Sequence, residues 1–264
     1  MIADWSIVSR EPVETRNGIP YFGSAEVGDQ FTDEDVALWT TGGNFARRWN
    51  SRGTANEHRN AVYMDLCRAA ATLNLPIVDI ASGPALGLLP DIHALNPNLR
   101  ALATDACPLV TETWREFLRA NAPKADISFA TFDAADMPIR DASADVITSS
   151  LGFSSLRYAG ADNMLGVREA YRVLKRGGFV FSIENEHEDP QLVQRVFDLW
   201  GRENWFRANN MTWRERFETV GFKIEREIPH SRRVADTDWE LGEVAASFGL
   251  HIAVKNTAYV LRKP

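Results

Sequence analysis

The chain has 264 residues, 45% hydrophobic and 25% charged, a composition typical of one globular domain or of one domain with an extension. Its formal net charge of −7 disfavours binding to nucleic acids or anionic membranes, because the overall field repels phosphate groups. The two cysteines form neither a CxxC pair nor a Cys/His cluster, so we expect no metal site. There is no apolar run of about 18 residues and no basic leader, so we expect a cytoplasmic protein without a membrane partner.

Residues 1–75 do not resemble the start of a sheet domain. Residues 1–27 carry turn signals, and a first helix is predicted to begin at Thr32, where Asp35 completes an approximate capping box. A longer helix is predicted over 54–75, with its apolar residues on one side. We therefore predict an N-terminal helical cap over residues 1–75.

From Pro76 onward, strands and helices alternate at lengths typical of a parallel sheet with helices on both faces. The predicted strands are 77–81, 99–104, 127–132, 144–149, 179–183, 223–228 and 256–262. The predicted helices are 86–95, 108–121, 163–174, 190–206, 213–220 and 238–248. The expected fold class is α/β: a doubly wound, Rossmann-like sheet of seven strands with the last antiparallel. The core would span residues 76–264, with a helical insertion around 189–215.

Polar residues follow the predicted strands at the carboxyl edge of this sheet. The first strand carries Asp79 and runs into a turn at Gly83, where small side chains let a ligand approach the backbone N–H groups. Asp105 ends the second strand, and an acidic side chain there can accept hydrogen bonds from both hydroxyls of a ribose. Asp133 follows the third strand, where its carboxylate can accept a hydrogen bond from an exocyclic amine.

Five ordered segments between Ile77 and Ile183 resemble the motifs of class I S-adenosylmethionine-dependent methyltransferases. They are VDIASGPA for the glycine-rich first motif, ATD for the acidic second, FDAADMPI for the adenine-contacting third, ADVITSSLGF for the fourth strand and AYRVLKRGGFVFSIE for the fifth. A nicotinamide oxidoreductase is disfavoured, since the spacing of Gly83 and Gly87 does not fit GxGxxG. The resemblance implies transfer of a methyl group from S-adenosylmethionine. We expect the acceptor to be an O or N atom of a small molecule, in specialised metabolism, and a homodimer is one expected assembly.

The resemblance also implies a cofactor site at the carboxyl edge. The turn would hold the methionine part of the cofactor, Asp105 the ribose, and Asp133 the adenine amine. The residues assigned to the cofactor are Asp79, Ala81, Ser82, Gly83, Asp105, Ala106, Asp133, Ala134, Ser149 and Ser150. Three of these have an alternative structural role: Asp79 can order the turn, Asp105 can cap the helix that begins at Pro108, and Asp133 can be a solvated turn residue.

Two residues depart from the first motif of the family. Ala81 and Ala85 stand where the family commonly has glycine. We expect the change at Ala81 to be mild. At Ala85 a methyl group would lie where the methionine part passes, and a positive φ would be strained.

A general base is needed only if the methyl acceptor must lose a proton. The candidates are His187 and Glu184, in the acidic segment after strand five, and Tyr158, after strand four. The alternatives are a solvated acidic loop for the first two and simple packing for Tyr158. Arg47 or Arg48 could bind the cofactor carboxylate.

Aromatic residues outside the core motifs form a candidate lid over a small-molecule pocket, or they attach the cap and the C-terminal helices to the core. They are Trp39, Phe45, Trp49, Trp200, Trp205, Phe206 and Trp213. Two rival functions stay open: non-methylating chemistry with the same cofactor, such as a cyclisation or an elimination, and a non-catalytic cofactor-binding protein.

Overall fold

The computed structural model describes residues 5–23, 43–156, 163–202, 211–234 and 240–264. The predicted cap helix at Thr32 lies outside these residues. So do the candidate base Tyr158 and the aromatic residues Trp39, Trp205 and Phe206.

The described strands form one mixed sheet of nine strands. They are β1 (Glu14–Arg16), β2 (Ile19–Tyr21), β3 (Ile77–Ile80), β4 (Ala101–Asp105), β5 (Ile127–Thr131), β6 (Ala144–Ser150), β7 (Leu174–His187), β8 (Lys223–Val234) and β9 (Ala253–Arg262). Their order is β1-β2-β5-β4-β3-β6-β7-β9-β8. Strands β3 to β7 pair in parallel, and β9 lies antiparallel between β7 and β8. The doubly wound α/β fold with an antiparallel last strand is confirmed.

The predicted number of seven strands is wrong, because an N-terminal hairpin adds two. β1 and β2 are joined at Asn17 and Gly18, whose φ angles are 50° and 75°, as a tight two-residue hairpin turn requires. β2 then joins β5 in parallel through Tyr21 and Thr131. Each strand has only three residues, too few to show an alternating pattern. Part of the segment predicted as a cap therefore extends the sheet, and the domain boundary at residue 75 stays a prediction.

The described helices are α1 (Asn44–Asn50), α2 (Ala61–Leu73), α3 (Leu89–Leu95), α4 (Pro108–Asn121), α5 (Gly152–Ser155), α6 (Asn163–Val173), α7 (Pro190–Trp200), α8 (Trp213–Val220) and α9 (Glu240–Ser247). The predicted bounds of α4 and α8 are confirmed. α2 begins later than predicted because Asn60 caps it by accepting a hydrogen bond from the backbone N–H of Tyr63. None of the described helices is long and apolar enough to cross a membrane.

Alternating strand residues divide the main core between the two faces of the sheet. On one face Ile77, Ala103 and Phe181 pack against α1 to α4, and we call this the α2 face. On the other, Val78 and Val180 pack against α6 and α8, and we call this the α6 face. The predicted insertion contains α7, which forms a separate hydrophobic cluster with α9. The carboxyl ends of β3 to β7 and the loops that follow them are thus held between two layers of helices.

Candidate functional site

The turn between β3 and α3 has the backbone conformation of a glycine-rich loop. Gly83 and Gly87 have φ angles of 59° and 50°. A Cβ at Gly87 would lie 2.5 Å from Oδ2 of Asp79, so only glycine fits there. Ala85 is not among the described residues with a positive φ, so the backbone strain expected there is not seen. The positive φ angles fall instead on Ala81, at 48°, and on Leu86, at 56°.

Replacing Ala81 with glycine is expected to stabilise the protein. A non-glycine residue in the left-handed region costs about 1–2 kcal/mol, which a glycine would recover. A glycine also loses more backbone entropy on folding, and this loss offsets about 0.5–1 kcal/mol of the recovered energy. We expect Ala81→Gly to raise the free energy of unfolding by about 0.5–1 kcal/mol, measured by urea denaturation. Ala85→Gly is the matched control and should lower it by about 0.4–1 kcal/mol, because no left-handed strain is released there. Equal effects of the two variants would contradict the strain at Ala81.

Asp79 lies beneath the turn and is fully buried. Its carboxylate accepts hydrogen bonds from the hydroxyls of Ser82 and Thr148, each at 2.5 Å. It also lies against the backbone of Gly87. This geometry favours the alternative in which Asp79 orders the turn without touching a ligand. Ser82, one of the residues assigned to the cofactor, is committed to the same network.

We expect Asp79 to make the protein less stable as pH rises from about 4 to about 7. Burial raises the pKa of Asp79 to about 7, against opposing hydrogen bonds from Ser82 and Thr148. The folded state therefore retains a proton that the unfolded state has released, which gives a contribution of at most about 1.4 kcal/mol per pH unit. In Asp79→Asn this loss is absent, and the hydroxyls can reorient to bind the amide.

The measurement is urea denaturation of both proteins at a series of pH values. The unfolding free energy of Asp79→Asn minus that of the wild type should increase between about pH 4 and 7 and then level off. A difference that does not vary with pH would show that Asp79 titrates normally.

Asp105 joins the turn after β3 to the start of α4. One carboxylate oxygen accepts a hydrogen bond from the N–H of Gly83 at 2.8 Å, and the other accepts one from the N–H of Cys107 at 2.9 Å. Burial raises the pKa of Asp105, and these backbone hydrogen bonds oppose the rise. The N-cap position of α4 is Cys107, so Asp105 is not itself the cap. A carboxylate has about four lone-pair sites, so both oxygens retain capacity for ribose hydroxyls.

The segment predicted to contact adenine lies beside Asp105. The N–H of Phe132 donates to the backbone carbonyl of Asp105 at 3.1 Å. In the loop that follows, Asp133 is half-buried and accepts a hydrogen bond from the N–H of Ala135 at 2.8 Å, whereas Ala134 is buried. Ala106 is half-buried at the same edge. The structure thus brings together the residues assigned to the ribose and to the adenine.

Glu184 is fully buried and accepts four hydrogen bonds. Ser149 and Ser182 donate to one oxygen at 2.9 and 2.5 Å, and the hydroxyl and N–H of Ser154 donate to the other at 2.5 and 2.9 Å. Burial raises the pKa of Glu184, and these donors oppose the rise. The arrangement favours a structural role that ties α5 to β6 and β7. The prediction that Glu184 is a base stays untested, and Ser149, assigned to the cofactor, donates to Glu184 instead.

The loops after β3 and β6 approach closely. A Cβ at Gly152 would lie 2.7 Å from the carbonyl oxygen of Ile80 and 3.1 Å from the Cβ of Ala81. Ser150, the last residue of β6, is half-buried beside this contact. The turn after β3 is therefore bounded by the β6 loop on one side and by Asp105 on the other.

His187 is the last residue of β7 and is half-buried, opposite Val254 of β9. Because strand residues alternate, His187 shares the α2 face with Phe181 and Ile183, whereas Glu184 points to the α6 face. The two candidate bases of this strand therefore lie on opposite faces, and a base role for His187 stays a prediction.

A buried cluster around Asp91 supports the turn from the α2 face. Arg48 donates to the carbonyl oxygens of Ala85 and Gly87 at 3.0 and 3.1 Å and to Asp91 at 2.8 Å. Arg59 also pairs with Asp91, at 3.2 Å. Nη1 of Arg48 is buried and has no hydrogen-bond partner within the part of the chain described. Arg48 was singled out from the sequence but Asp91 was missed, and the signal of Asp91 is that it is the one acidic residue of a short helix that is apolar apart from Asp91 and His93.

The described aromatic residues of the predicted lid mainly pack. Phe45 lies edge-on to Trp114, Trp49 lies against His93, and Trp213 lies against Phe217. Phe45, Trp49 and Trp213 are buried in the core. This supports the interpretation in which they attach α1 and α8 to the sheet.

Comparison with known proteins finds a matching family model, distant sequence relatives and solved structures of similar fold. A family model described as a methyltransferase domain matches residues 78–182. The ubiquinone/menaquinone biosynthesis C-methyltransferase UbiE of Rhizobium meliloti is 26% identical over 208 residues, which is 75% of each chain. The homologous enzyme of Rhizobium leguminosarum is 26% identical over 124 residues, covering 47% of this chain and 46% of that protein, so this match spans about half of the relative's length.

Among solved structures, the crystal structure of the [4+2]-cyclase SpnF superposes with a TM-score of 0.58 and 16% identity, over 97% of this chain and 99% of that chain. This likeness shows a common fold. The methyltransferase model covers β3 to β7, the strands whose carboxyl ends carry the glycine turn, Asp105 and Asp133. These findings agree with the five motifs in the sequence, and both point to the class I S-adenosylmethionine-dependent methyltransferases as the family that the chain resembles.

Proposed function

We propose that this protein binds S-adenosylmethionine at the turn after β3 and transfers its methyl group to a small organic acceptor. The observation that carries the proposal is the hydrogen bond between the N–H of Gly83 and the carboxylate of Asp105. It joins a bare backbone turn to a buried carboxylate at the carboxyl edge of a doubly wound sheet, which is where such folds bind nucleosides.

The residues at this edge fit the cofactor. A Cβ at Gly83 would meet nothing nearer than a carbonyl oxygen at 4.0 Å, so the turn leaves open space for a ligand. The buried Nη1 of Arg48 is a cationic donor suited to a carboxylate. The methionine part would lie on the turn, the ribose on Asp105 and the adenine between Asp133 and Ala134.

When bound, S-adenosylmethionine supplies an electrophilic methyl group on a sulfonium sulfur. The protein's own task is then to hold the acceptor in line with that methyl and to exclude water. The network of Asp79, Ser82 and Thr148 fixes the turn, and Glu184 fixes the loop after β6. These contacts provide the rigidity that alignment requires.

Two classes of methyl acceptor are candidates. Our sequence interpretation favours an O or N atom of a small molecule. The relatives are named for C-methylation in quinone biosynthesis, so a ring carbon of a hydroquinone is the second candidate. Both acceptor types are small hydroxylated or aminated molecules, consistent with the chain's net charge of −7.

The test is calorimetric titration with S-adenosylmethionine and S-adenosylhomocysteine, followed by mass spectrometry of reactions with phenols, amines and reduced demethylmenaquinone. We expect binding in the micromolar range and formation of S-adenosylhomocysteine with a methylated product. Binding with intact cofactor and a rearranged, unmethylated product would favour the cyclisation rival. If the folded protein binds neither ligand, the proposal is wrong.

A further inference from the structure

His230 belongs to β8, which is an edge strand of the sheet, and it lies level with the carboxyl ends of the parallel strands. β6 ends opposite Ile183 of β7. The next two residues of β7, Glu184 and Asn185, pair with Thr257 and Asn256 of β9. These two β9 residues pair in turn with Pro229 and Ser231 of β8. His230 is the extra residue in the bulge between these two. Such bulges redirect a side chain, and this one turns His230 toward the start of α2.

Asn60 holds His230 with two reciprocal contacts. The amide nitrogen of Asn60 donates to the carbonyl oxygen of His230 at 2.7 Å, and the amide oxygen lies 3.0 Å from Nδ1 of the ring. Because the carbonyl can only accept, the first contact fixes the orientation of the amide. Because the amide oxygen can only accept, Nδ1 must carry the ring proton. Nε2, on the other side of the ring, is then the nitrogen that bears the lone pair.

The surroundings of His230 lower its pKa and so favour the neutral form of the imidazole. Burial is the main cause that lowers its pKa, the charge of His58 adds to this, and a backbone hydrogen bond with His58 opposes it. Tyr63, on α2, has a pKa raised well above its ordinary value and stays uncharged. The β9 residues opposite the bulge, Asn256 and Thr257, carry no charge.

One side chain separates His230 from the glycine turn. The ring of Tyr63 lies 6.2 Å from the ring of His230, and its hydroxyl reaches Asp91 at 2.9 Å and the carbonyl oxygen of Gly87 at 3.5 Å. An imidazole that is oriented by an amide and lies at the same edge as the turn can take up a proton from a group bound there.

Resting on the proposed function, we propose that His230 is the general base of the methyl transfer and that Asn60 is its positioning residue. The acceptor's proton passes to Nε2 of His230. The electron pair left on the acceptor atom forms the bond to the methyl carbon, and the pair of the carbon–sulfur bond stays on sulfur. His230 then releases the proton to water.

Three variants test this assignment: His230→Gln, Asn60→Asp and, as a matched control on an exposed histidine, His251→Gln. Methyl transfer is measured with reduced demethylmenaquinone as the first acceptor probe and then with any acceptor from the screen. We expect His230→Gln to lower kcat about 100-fold or more, with unchanged affinity for S-adenosylmethionine, and His251→Gln to behave as wild type. Undiminished turnover in a folded His230→Gln would overturn the assignment.

Asn60→Asp keeps the helix cap and places a negative charge beside the ring. It should raise the pKa of His230 by about 1–3 units and move the acid limb of the pH profile of kcat upward by the same amount. Nuclear magnetic resonance of the ¹⁵N-labelled ring gives a readout without turnover: the wild type should show the proton on Nδ1 and a pKa below that of a free histidine. A proton on Nε2 would overturn the assignment. Failure of the proposed function gives a different result from failure of the base assignment, because the wild type would then not bind S-adenosylmethionine. In that case the base role of His230 is also wrong.

Discussion

Asp105→Ala is expected to weaken the binding of S-adenosylmethionine about 100-fold, measured by calorimetric titration. A hydrogen bond to a charged group contributes about 1.5–3 kcal/mol, so two such bonds to ribose hydroxyls contribute at least about 3 kcal/mol, which corresponds to a loss of about 100-fold or more. The substitution also removes the acceptor of the N–H groups of Gly83 and Cys107. The turn would therefore lose part of the order that it needs to receive the ligand.

The control for this prediction is Asp126→Ala, which removes an exposed carboxylate that pairs with Arg100 on the surface. Its affinity for the cofactor should equal that of the wild type. Circular dichroism checks that Asp105→Ala is folded. A folded Asp105→Ala protein with wild-type affinity would show that the ribose binds elsewhere.

Asp91→Ala is expected to lower the free energy of unfolding by about 3–5 kcal/mol, because it leaves two largely buried arginine side chains without their counter-charge. The carboxylate is fully buried and pairs with Arg48 and Arg59. It also accepts hydrogen bonds from the hydroxyl of Tyr63 at 2.9 Å and from the N–H of Gly53 at 2.7 Å. Urea denaturation measures the loss.

Two further variants identify the cause of this loss. Asp91→Asn retains the size and an acceptor oxygen but removes the charge, so a comparably large loss would assign the cost to the unpaired cations. Asp65→Ala removes one partner of an exposed ion pair with Arg68 and should change stability by less than about 1 kcal/mol. A small loss in Asp91→Ala would mean that water or a neighbouring group reaches the two arginines.

The parts of the fold that the sequence predicts well have strong local signals. α4 begins at Pro108, where the missing N–H costs nothing, and β3 is a short apolar run before a turn. Longer-range pairing is not visible in the sequence. β7 extends to His187 because β9 pairs with it beyond the end of β6. The N-terminal hairpin depends on β5 for its place in the sheet.

The positions of the residues assigned to the cofactor are predictable because these residues stand at strand ends, as Asp105 does. The backbone conformation of the turn is not predictable from these residues. Left-handed φ angles fall on Ala81 and Leu86, which have no preference for that region, because the surrounding turn imposes the conformation. Glu184 looks like a reactive carboxylate in the sequence, yet the four donors around it come from three separate elements. The sequence does not indicate a role for His230, because its partner Asn60 is distant in the chain.

The outer edge of β8 has a consequence for self-association. An incoming strand needs an unbroken row of backbone donors and acceptors, but β8 is interrupted by register shifts between Ile224 and Arg226 and between Pro229 and Ser231. Proline supplies no N–H, and the exposed side chains along this edge include Lys223 and Arg232. This edge is therefore protected against intermolecular sheet growth and against amyloid-like aggregation.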